Sequence, residues 1–365
     1  MAGTVAWTDV TSPIGIGVVG CGVIGTQHVR VASALPCASP RAVLDLERDR
    51  AEALAVAHGV PRVCANLEEM LALSEVEAVV MAVPAAFRMP MSRRVLAAGC
   101  HLLLEKPVAM NAGEVRLLEA WRDRDQVVAC CAARFRCLES FAPVHEVLAA
   151  GKLGTPQGAV FRALTPAPPR PNILPPAWRL QSRLNGGGVL MNWGCYDLDY
   201  LLGMWPEPLV PRTVRARMWG LGPDYRNFVV PDSDGETHVV AWIECADGFQ
   251  ISYERGEYHP GPRRAEFQVF GDRGSLDLTM VPNRDRADIL WCSDDAAGSV
   301  SETVQCHPDR AADLHSGVVE DFCRAVRSGC EPAAGLDFSF RVQATLDAMY
   351  RSARTGCPVE VESDL

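Results

Sequence analysis

Only two lysines occur in this chain of 365 residues, and one of them, Lys106, follows an apolar run at residues 100–104. A glycine-rich segment at residues 20–25, Gly-Cys-Gly-Val-Ile-Gly, ends another apolar run. In an open parallel sheet, the carboxyl ends of the strands face the crevice that binds ligands. An amine at that edge can exchange a proton with a substrate beside a bound dinucleotide. The two motifs together therefore predict an enzyme.

The glycine segment has the pattern G-x-G-x-x-G, with a strand before it and a helix predicted from about Thr26, which is the context that a dinucleotide site requires. Gly20 permits a tight turn, and Gly22 lets the backbone approach a pyrophosphate. The free N–H groups at the helix N-terminus bind the negative charge. We therefore predict dinucleotide binding, against the alternative of a plain strand–helix turn.

An acidic residue, Asp45, ends the second predicted strand about 20 residues beyond the glycines, where a carboxylate can bind a ribose 2′-hydroxyl. Its charge repels a 2′-phosphate, so NAD is predicted in preference to NADP. Asp45 can also cap the helix that follows, and the two roles are compatible. Arg48 lies close enough in sequence to contact a phosphate, which keeps NADP as the alternative.

Strands and helices alternate through the first third of the chain, which predicts the α/β class with a doubly wound parallel sheet over residues 1–136. In residues 137–365, closely spaced strands predict a second domain with a mostly antiparallel sheet. The predicted strands are 14–20, 42–45, 77–83, 100–106, 126–133 and 157–163, with several more between 209 and 306. The predicted helices are one from about Thr26, 49–58, one ending near Gly99, one opening at Asn111 with Glu114 as its capping partner, 140–150, one after the three glycines to about Gly203, 311–328 and 337–355.

A run of three glycines at residues 186–188 precedes a third motif. If residues 189–199 are helical, Asn192, Tyr196 and Asp199 share one face, because they are spaced i, i+4 and i+7. An amide, a phenol and a carboxylate on one face are unusual for a core helix. A solvated helix face gives the same pattern and is the alternative.

These three motifs together resemble those of the Gfo/Idh/MocA family of sugar and cyclitol oxidoreductases, over nearly the whole chain. Further likeness lies at residues 95–101, in Trp178-Arg179 before the glycines, and in the tail at residues 349–356. The glycine pattern is shared by many families, whereas the other motifs together are specific. The resemblance implies an N-terminal Rossmann domain, a C-terminal α/β domain with a large antiparallel sheet, and a homodimer or homotetramer formed through that sheet.

The resemblance also implies the roles of individual residues. Lys106 and Tyr196 correspond to the catalytic pair, and we expect the cationic lysine to lower the pKa of the phenol. Asn192 replaces the family's usual aspartate, and an amide cannot accept a proton at neutral pH. A second departure is Phe87-Arg88, where many members have a histidine. The residues implied to line the substrate cleft are Arg134, Trp178, Arg179, Asn192 and Cys195. Those implied to contact the cofactor are Gly20, Gly22, Val23, Ile24, Gly25, Asp45, Leu46, Val83, Pro84, Phe87, Glu105 and Lys106.

Composition narrows the range of partners. The formal charge of −10 argues against nucleic acid or an anionic membrane surface as a partner. No apolar stretch is long enough to span a bilayer. The 14 cysteines lack the spacing of a zinc site, so no metal is predicted, and reduced, mostly buried thiols are expected. Residues 1–13 lack the features of a signal peptide, so a cytoplasmic location is expected.

The leading hypothesis is an NAD-dependent dehydrogenase or ketoreductase that acts on a secondary alcohol of a sugar, an amino sugar or a cyclitol. The acidic balance of the chain would suit a cationic aminoglycoside. Two alternatives stay open, both represented among relatives. One is an NAD-dependent glycosidase that retains its cofactor, and the other is a redox-inactive regulator that senses the dinucleotide.

Overall fold

The computed structural model describes residues 12–278, 289–295, 298–305, 309 and 314–363. Its first sheet has six parallel strands in the order β3-β2-β1-β4-β5-β6, the doubly wound arrangement that the sequence predicts. Every residue of β1 is buried, as expected for a strand covered by helices on both faces. The strands are β1 (Ile14–Val19), β2 (Ala38–Leu44), β3 (Arg62–Val63), β4 (Ala78–Met81), β5 (His101–Leu104) and β6 (Val128–Cys130).

Five helices connect these strands, and the first begins at Val23 rather than near Thr26, so the glycine pattern itself forms the helix start. The predicted cap at Asn111 is present, because its side chain accepts a hydrogen bond from the Glu114 N–H. The predicted strand 126–133 is wrong in length, since β6 ends at Cys130 and a 3₁₀ turn follows. The helices are α1 (Val23–Ala34), α2 (Arg48–His58), α3 (Leu67–Leu71), α4 (Arg88–Ala97) and α5 (Ala112–Trp121).

The second sheet has nine strands in the order β14-β13-β12-β11-β7-β10-β9-β8-β15. Among the described residues, β7 and β10 alone pair in parallel and the other neighbouring strands pair antiparallel, which confirms the prediction of a mostly antiparallel sheet. The strands are β7 (Pro156–Pro166), β8 (Pro211–Trp219), β9 (His238–Cys245), β10 (Gln250–His259), β11 (Arg264–Gly271), β12 (Gly274–Asp277), β13 (Ile289–Asp295), β14 (Gly298–Gln305) and β15 (Val359–Glu360).

The remaining helices are α6 (Phe141–Ala149), α7 (Ser182–Asn185), α8 (Cys195–Gly203), α9 (Ser316–Ser328) and α10 (Leu336–Thr355). Part of the predicted helix 311–328, residues 311–313, lies outside the described residues. One turn of π-helix, Leu190–Gly194, precedes α8. The third glycine is required there, because a Cβ at Gly188 would lie 1.9 Å from the carbonyl oxygen of Glu236. No helix among the described residues combines the length and the apolar character needed to cross a membrane.

Helices α9 and α10, although late in the chain, pack against the first sheet. The N–H of Cys130 in β6 donates to the carbonyl oxygen of Ala334 at 3.0 Å. The N–H of Ala112, at the start of α5, donates to the Asp347 carboxylate at 2.7 Å. Elements from both ends of the sequence therefore build the N-terminal half, and the boundary at residue 136 stays a prediction.

Candidate active site

The glycine loop between β1 and α1 has the shape of an anion-binding turn. Gly20 has a φ of +93°, in the region that favours glycine. A Cβ at Gly25 would lie 1.7 Å from the carbonyl oxygen of Gly20, so this glycine allows the helix to pack on the turn. A Cβ at Gly22 would meet nothing within 4 Å, and no side chain caps the helix there. The free N–H groups of Val23 and Ile24 thus begin a helix beside open space, which fits a pyrophosphate.

Asp45 follows the last residue of β2 and binds this loop directly. Its carboxylate accepts hydrogen bonds from the N–H of Cys21 at 2.6 Å and from the N–H of Glu47 at 2.8 Å. The predicted cap is wrong, because the N-cap residue of α2 is Glu47 and no side chain caps that helix. The Asp45 carboxylate instead lies beside the glycine turn, where a ribose would be recognised. Apolar side chains exposed near these strand ends belong to Val23, Leu46 and Phe87, and they offer surface for a flat aromatic base.

The amine of Lys106 lies just beyond β5 and contacts the motif after the triple glycine. It donates to the main-chain oxygen of Asn192 at 2.9 Å and to the side-chain oxygen of Asn192 at 2.7 Å. Burial lowers the pKa of Lys106, and the positive charges of Arg134 and Arg88 lower it further, against the opposing effects of Cys195 and Glu105. The structure thus brings the lysine motif into contact with Asn192, the residue that replaces the family's usual aspartate.

The phenol of Tyr196 belongs to the same cluster. The Lys106 amine lies 5.3 Å from the centre of its ring, and the Arg134 guanidinium carbon lies 4.0 Å from it. Burial raises the pKa of Tyr196 well above its ordinary value, although Arg134 opposes the shift. The expectation that the lysine lowers this pKa is therefore wrong, because loss of hydration outweighs a neighbouring cation. The phenol therefore stays protonated at neutral pH and can donate a hydrogen bond, but it is not a base there.

One further polar cluster lies beside the lysine, on the side of the nine-stranded sheet. The Trp178 ring centre is 6.0 Å from the Lys106 amine. Next to it, Arg179 donates to Glu257 at 2.7 Å, and the indole N–H of Trp193 donates to the same carboxylate oxygen at 2.9 Å. Glu257 was not predicted, because nothing in the pattern of β10 distinguishes it from other charged residues of that strand.

The π-helical turn changes which residues of the third motif face the lysine. It inserts an extra residue into the helical turn, so the i, i+4, i+7 spacing no longer marks one face. Asp199, expected on that face, is buried and pairs with Arg136 at 2.6 Å, whereas Asn192 binds the Lys106 amine. The thiol of Cys195 is buried and donates to the Met191 carbonyl oxygen at 3.3 Å, and burial raises its pKa to about 12. Its place in the substrate cleft stays a prediction.

Comparison with known proteins decides the family. A model described as "Oxidoreductase family, NAD-binding Rossmann fold" matches residues 14–131, and one described as "GFO/IDH/MocA C-terminal domain" matches residues 141–277. The chain belongs to the Gfo/Idh/MocA family. The resemblance stated from the motifs is thereby confirmed.

Three similar proteins illustrate the range of this family. The crystal structure of GenD2 from gentamicin A biosynthesis, in complex with NAD, has 28% sequence identity and a TM-score of 0.79, and the match covers 96% of this chain and 97% of GenD2. D-xylose 1-dehydrogenase (NADP(+)) 2 of Haloferax volcanii is 27% identical over 93% of this chain and 99% of its own. The 1,5-anhydro-D-fructose reductase of Ensifer adhaerens is 23% identical over 96% of this chain and 99% of its own length.

In this Gfo/Idh/MocA protein, a buried network lies next to the lysine. His28 donates to the Glu105 carboxylate at 2.9 Å, and His315 Nε2 lies 4.0 Å from the same oxygen. These are metal-ligand types within 4.8 Å of one another. However, Arg134 donates to His315 Nε2 at 3.4 Å, which occupies that nitrogen and adds a positive charge beside it. Burial lowers the pKa of His315 to about 4, so the ring is a neutral acceptor. The cluster is therefore a hydrogen-bond network that orients Arg134.

Two further buried groups support the site and were not predicted. Glu236 accepts hydrogen bonds from the N–H groups of Gly188 and Leu190, both at 2.8 Å, and from the Tyr350 hydroxyl at 2.9 Å. It therefore fixes the start of the segment that presents Asn192. The other group is Arg88, whose guanidinium donates to main-chain carbonyls around the lysine. Glu236 contacts residues 46 to 114 positions away and Arg88 contacts residues 5 to 19 positions away, and no local pattern indicates either set of contacts.

Proposed function

We propose that the chain is an NAD-dependent oxidoreductase that transfers a hydride between the nicotinamide and a secondary alcohol or ketone of a sugar, an amino sugar or a cyclitol. One observation supports it above the others. The Lys106 amine lies at the carboxyl end of β5 and is held there by hydrogen bonds to Asn192. The glycine loop follows the carboxyl end of β1 in the same sheet. NAD, when bound, supplies the hydride acceptor or donor.

The residues that would hold the cofactor are those of the glycine loop and its neighbours. Main-chain N–H groups at the start of α1 bind the pyrophosphate, and Asp45 binds the adenosine ribose. A carboxylate there repels a 2′-phosphate, so we propose NAD over NADP. Relatives use both, since GenD2 was crystallised with NAD and the name of the xylose dehydrogenase specifies NADP(+). The choice therefore depends on this chain's own Asp45.

The proton chemistry is assigned to Lys106. Two of its hydrogens are directed at the two oxygens of Asn192, which leaves one position on the nitrogen for the substrate. As a neutral amine, it accepts the hydroxyl proton during oxidation, and as an ammonium it returns that proton during reduction. Tyr196 remains a neutral phenol and donates a hydrogen bond to the same oxygen. The lowered pKa of the amine places this exchange nearer to neutral pH than for a solvated lysine.

The substrate class is inferred from the cleft and from the relatives. Indole rings of Trp178 and Trp193 and the paired Arg179 and Glu257 offer apolar faces together with donors and acceptors, as a polyhydroxylated ring requires. The relatives named above act on xylose or anhydrofructose or belong to gentamicin biosynthesis. Amino sugars of the aminoglycoside type are therefore included among the proposed substrates.

The decisive experiment follows nicotinamide absorbance while the protein is supplied with NAD or NADH and a panel of pentoses, hexoses, inositols, their ketones and aminoglycosides. We expect sustained turnover on at least one member. Cleavage of a glycoside with no net change in NADH would instead support the retained-cofactor glycosidase. Tight NADH binding by calorimetry with no turnover on any member would favour the sensing regulator.

We also propose a homodimer or homotetramer through the exposed face of the nine-stranded sheet. Trp242, Val240 and Trp219 are all exposed there, with Arg162 and Glu254 paired at 2.6 Å beside them. An open sheet face with large apolar residues is typical of an interface. Sedimentation should show an oligomer that Trp242→Arg dissociates, with NADH affinity retained. A monomeric wild-type protein would rule this surface out.

A further inference from the structure

Arg88, at the start of α4, is buried and contacts the main chain on both sides of the catalytic lysine. Its Nε donates to the carbonyl oxygen of Val83 at 2.7 Å, and its Nη2 donates to the carbonyl oxygen of Lys106 at 3.2 Å. Its Nη1 donates to the carbonyl oxygens of Glu105 and Pro107. One guanidinium thus binds the Glu105–Pro107 turn and the turn after β4 together. All of its nitrogens are used, and none of them binds a carboxylate.

The charges around the amine make this contact more than a structural one. Among the described residues, no carboxylate oxygen lies within 4.0 Å of either the Lys106 amine or the Arg88 guanidinium. The charge of the Glu105 carboxylate raises the pKa of both Lys106 and Arg88 without contacting either cationic group, and that carboxylate is hydrogen-bonded by His28, with His315 at 4.0 Å. The other groups facing the amine are neutral Asn192, the buried Cys195 thiol, the Tyr196 ring and a second cation, Arg134. Arg88 and Arg134 therefore both disfavour an ammonium at this position.

We propose that Arg88 is the positioning residue of Lys106: it fixes the turn that presents the amine and adds a buried positive charge, contacted by no carboxylate among the described residues, behind that turn. The carbonyl contacts hold the nitrogen within reach of Asn192, and the charge keeps the amine available as a base. This inference rests on the proposed function only in taking Lys106 as the proton carrier. The electrostatic part of the proposal is tested by a titration that needs no substrate, and the positioning part by kcat.

The small number of lysines makes the measurement direct. Protein labelled with lysine that contains ¹³C at Cε gives two signals, one for Lys106 and one for Lys152, and Lys152→Arg assigns them. The shift of the Lys106 signal with pH gives the midpoint of its titration. Three variants are compared with the wild type: Arg88→Gln, which is neutral but still donates hydrogen bonds, Arg88→Lys, which keeps the charge, and Arg93→Gln, which removes an exposed arginine of the same helix.

Arg88→Gln should raise the Lys106 midpoint by about one pH unit, the lower end of the effect of a nearby charge. Arg88→Lys should leave the midpoint within about 0.3 unit but lower kcat about tenfold on any substrate found, because one ammonium cannot replace the three-nitrogen contact. Arg93→Gln should change neither. Calorimetry with NADH checks that each variant is folded.

An unchanged midpoint in folded Arg88→Gln overturns the electrostatic part of the proposal. If that variant does not fold, Arg88→Lys decides, since a midpoint that rises although the charge is retained contradicts the same part. Wild-type kcat in Arg88→Lys overturns the positioning part. Failure of the proposed function would appear differently, as absence of turnover in the wild type while the Lys106 signal still responds to Arg88→Gln.

Discussion

The glycine loop and the substrate cleft are built from different chemical groups. In the loop, the main chain makes the site, with a positive φ at Gly20 and an open helix start at Gly22. In the cleft, the site is formed by side chains that hydrogen-bond to one another, as Glu257 does with Arg179 and Trp193. A main-chain site accepts any sequence that permits its turn, whereas a side-chain site changes with each substitution. The cofactor half can therefore stay constant while the substrate half varies.

The largest expected effect comes from the amine that lies between the two halves. Lys106→Ala should lower kcat by on the order of 10²-fold or more, the usual effect of losing a general acid or base. NADH affinity should stay within a few-fold, because main-chain groups bind the pyrophosphate. Steady-state kinetics and calorimetry measure both, with Lys152→Ala as the control at the only other lysine. Near-normal turnover in Lys106→Ala would remove this residue from the mechanism.

Two alanine substitutions separate what the glycines do for the fold from what they do for the ligand. Gly25→Ala forces a Cβ to within 1.7 Å of a carbonyl oxygen and should lower the free energy of unfolding by about 2–3 kcal/mol. Gly22→Ala meets no atom within 4 Å and should change it by less than about 1 kcal/mol. It should nevertheless weaken NADH binding about tenfold or more, as close backbone approach requires. Chemical denaturation and calorimetry compare the pair; equal NADH affinity in Gly22→Ala would contradict a pyrophosphate at this turn.

The pH dependence of sugar oxidation distinguishes the roles of the substrate-side residues. Only the neutral amine accepts a proton, so kcat should rise as the pH rises through the pKa of Lys106. The Tyr196 pKa lies well above its ordinary value of about 10, so the phenol adds no step in this range. Tyr196→Phe should lower kcat about tenfold, the effect of losing one hydrogen bond, without changing the pH at which kcat rises.

Asn192 provides the matching test of the amine's surroundings. Asn192→Asp places a carboxylate beside Lys106, which should raise the pKa of the amine and move the step to higher pH. Asn192→Ala should mainly raise KM, as expected when an interaction contributes equally to ground-state and transition-state binding. If the pH midpoint of kcat shifts in Tyr196→Phe but not in Asn192→Asp, the roles assigned to these two residues are reversed.

The smallest effect concerns cofactor choice. The wild type should bind NADH at least about tenfold more tightly than NADPH, a difference of roughly 1.4 kcal/mol. Asp45→Ala should narrow that ratio, and it should also lower stability by about 1–2 kcal/mol, because the N–H groups of Cys21 and Glu47 lose their acceptor. Asp45→Asn keeps an acceptor and serves as the control for stability. Equal affinities for the two cofactors in the wild type would refute the role given to Asp45.

The cofactor half was predictable because its information is local. Buried parallel strands appear as apolar runs, and the end of the run at residues 100–104 gives the place of Lys106 directly. The substrate half was only partly predictable. The π-helical turn leaves no mark in the residue pattern, and neither does the pairing of Asp199 with Arg136. Glu236 and Glu257 contact partners 46 to 114 residues away, and only the folded chain brings them together.

The hydrogen bonds that join α5 to α10, and β6 to the loop before α10, have a consequence for synthesis of the protein. Ala112 and its acceptor Asp347 are 235 residues apart, so the ribosome makes the donor long before the acceptor. At about 5–20 residues per second, the interval is on the order of 10–50 s. Throughout that interval the nascent first sheet lacks its covering α10 and exposes apolar surface that chaperones bind. Premature termination before residue 334 should therefore yield an insoluble fragment rather than a free nucleotide-binding domain.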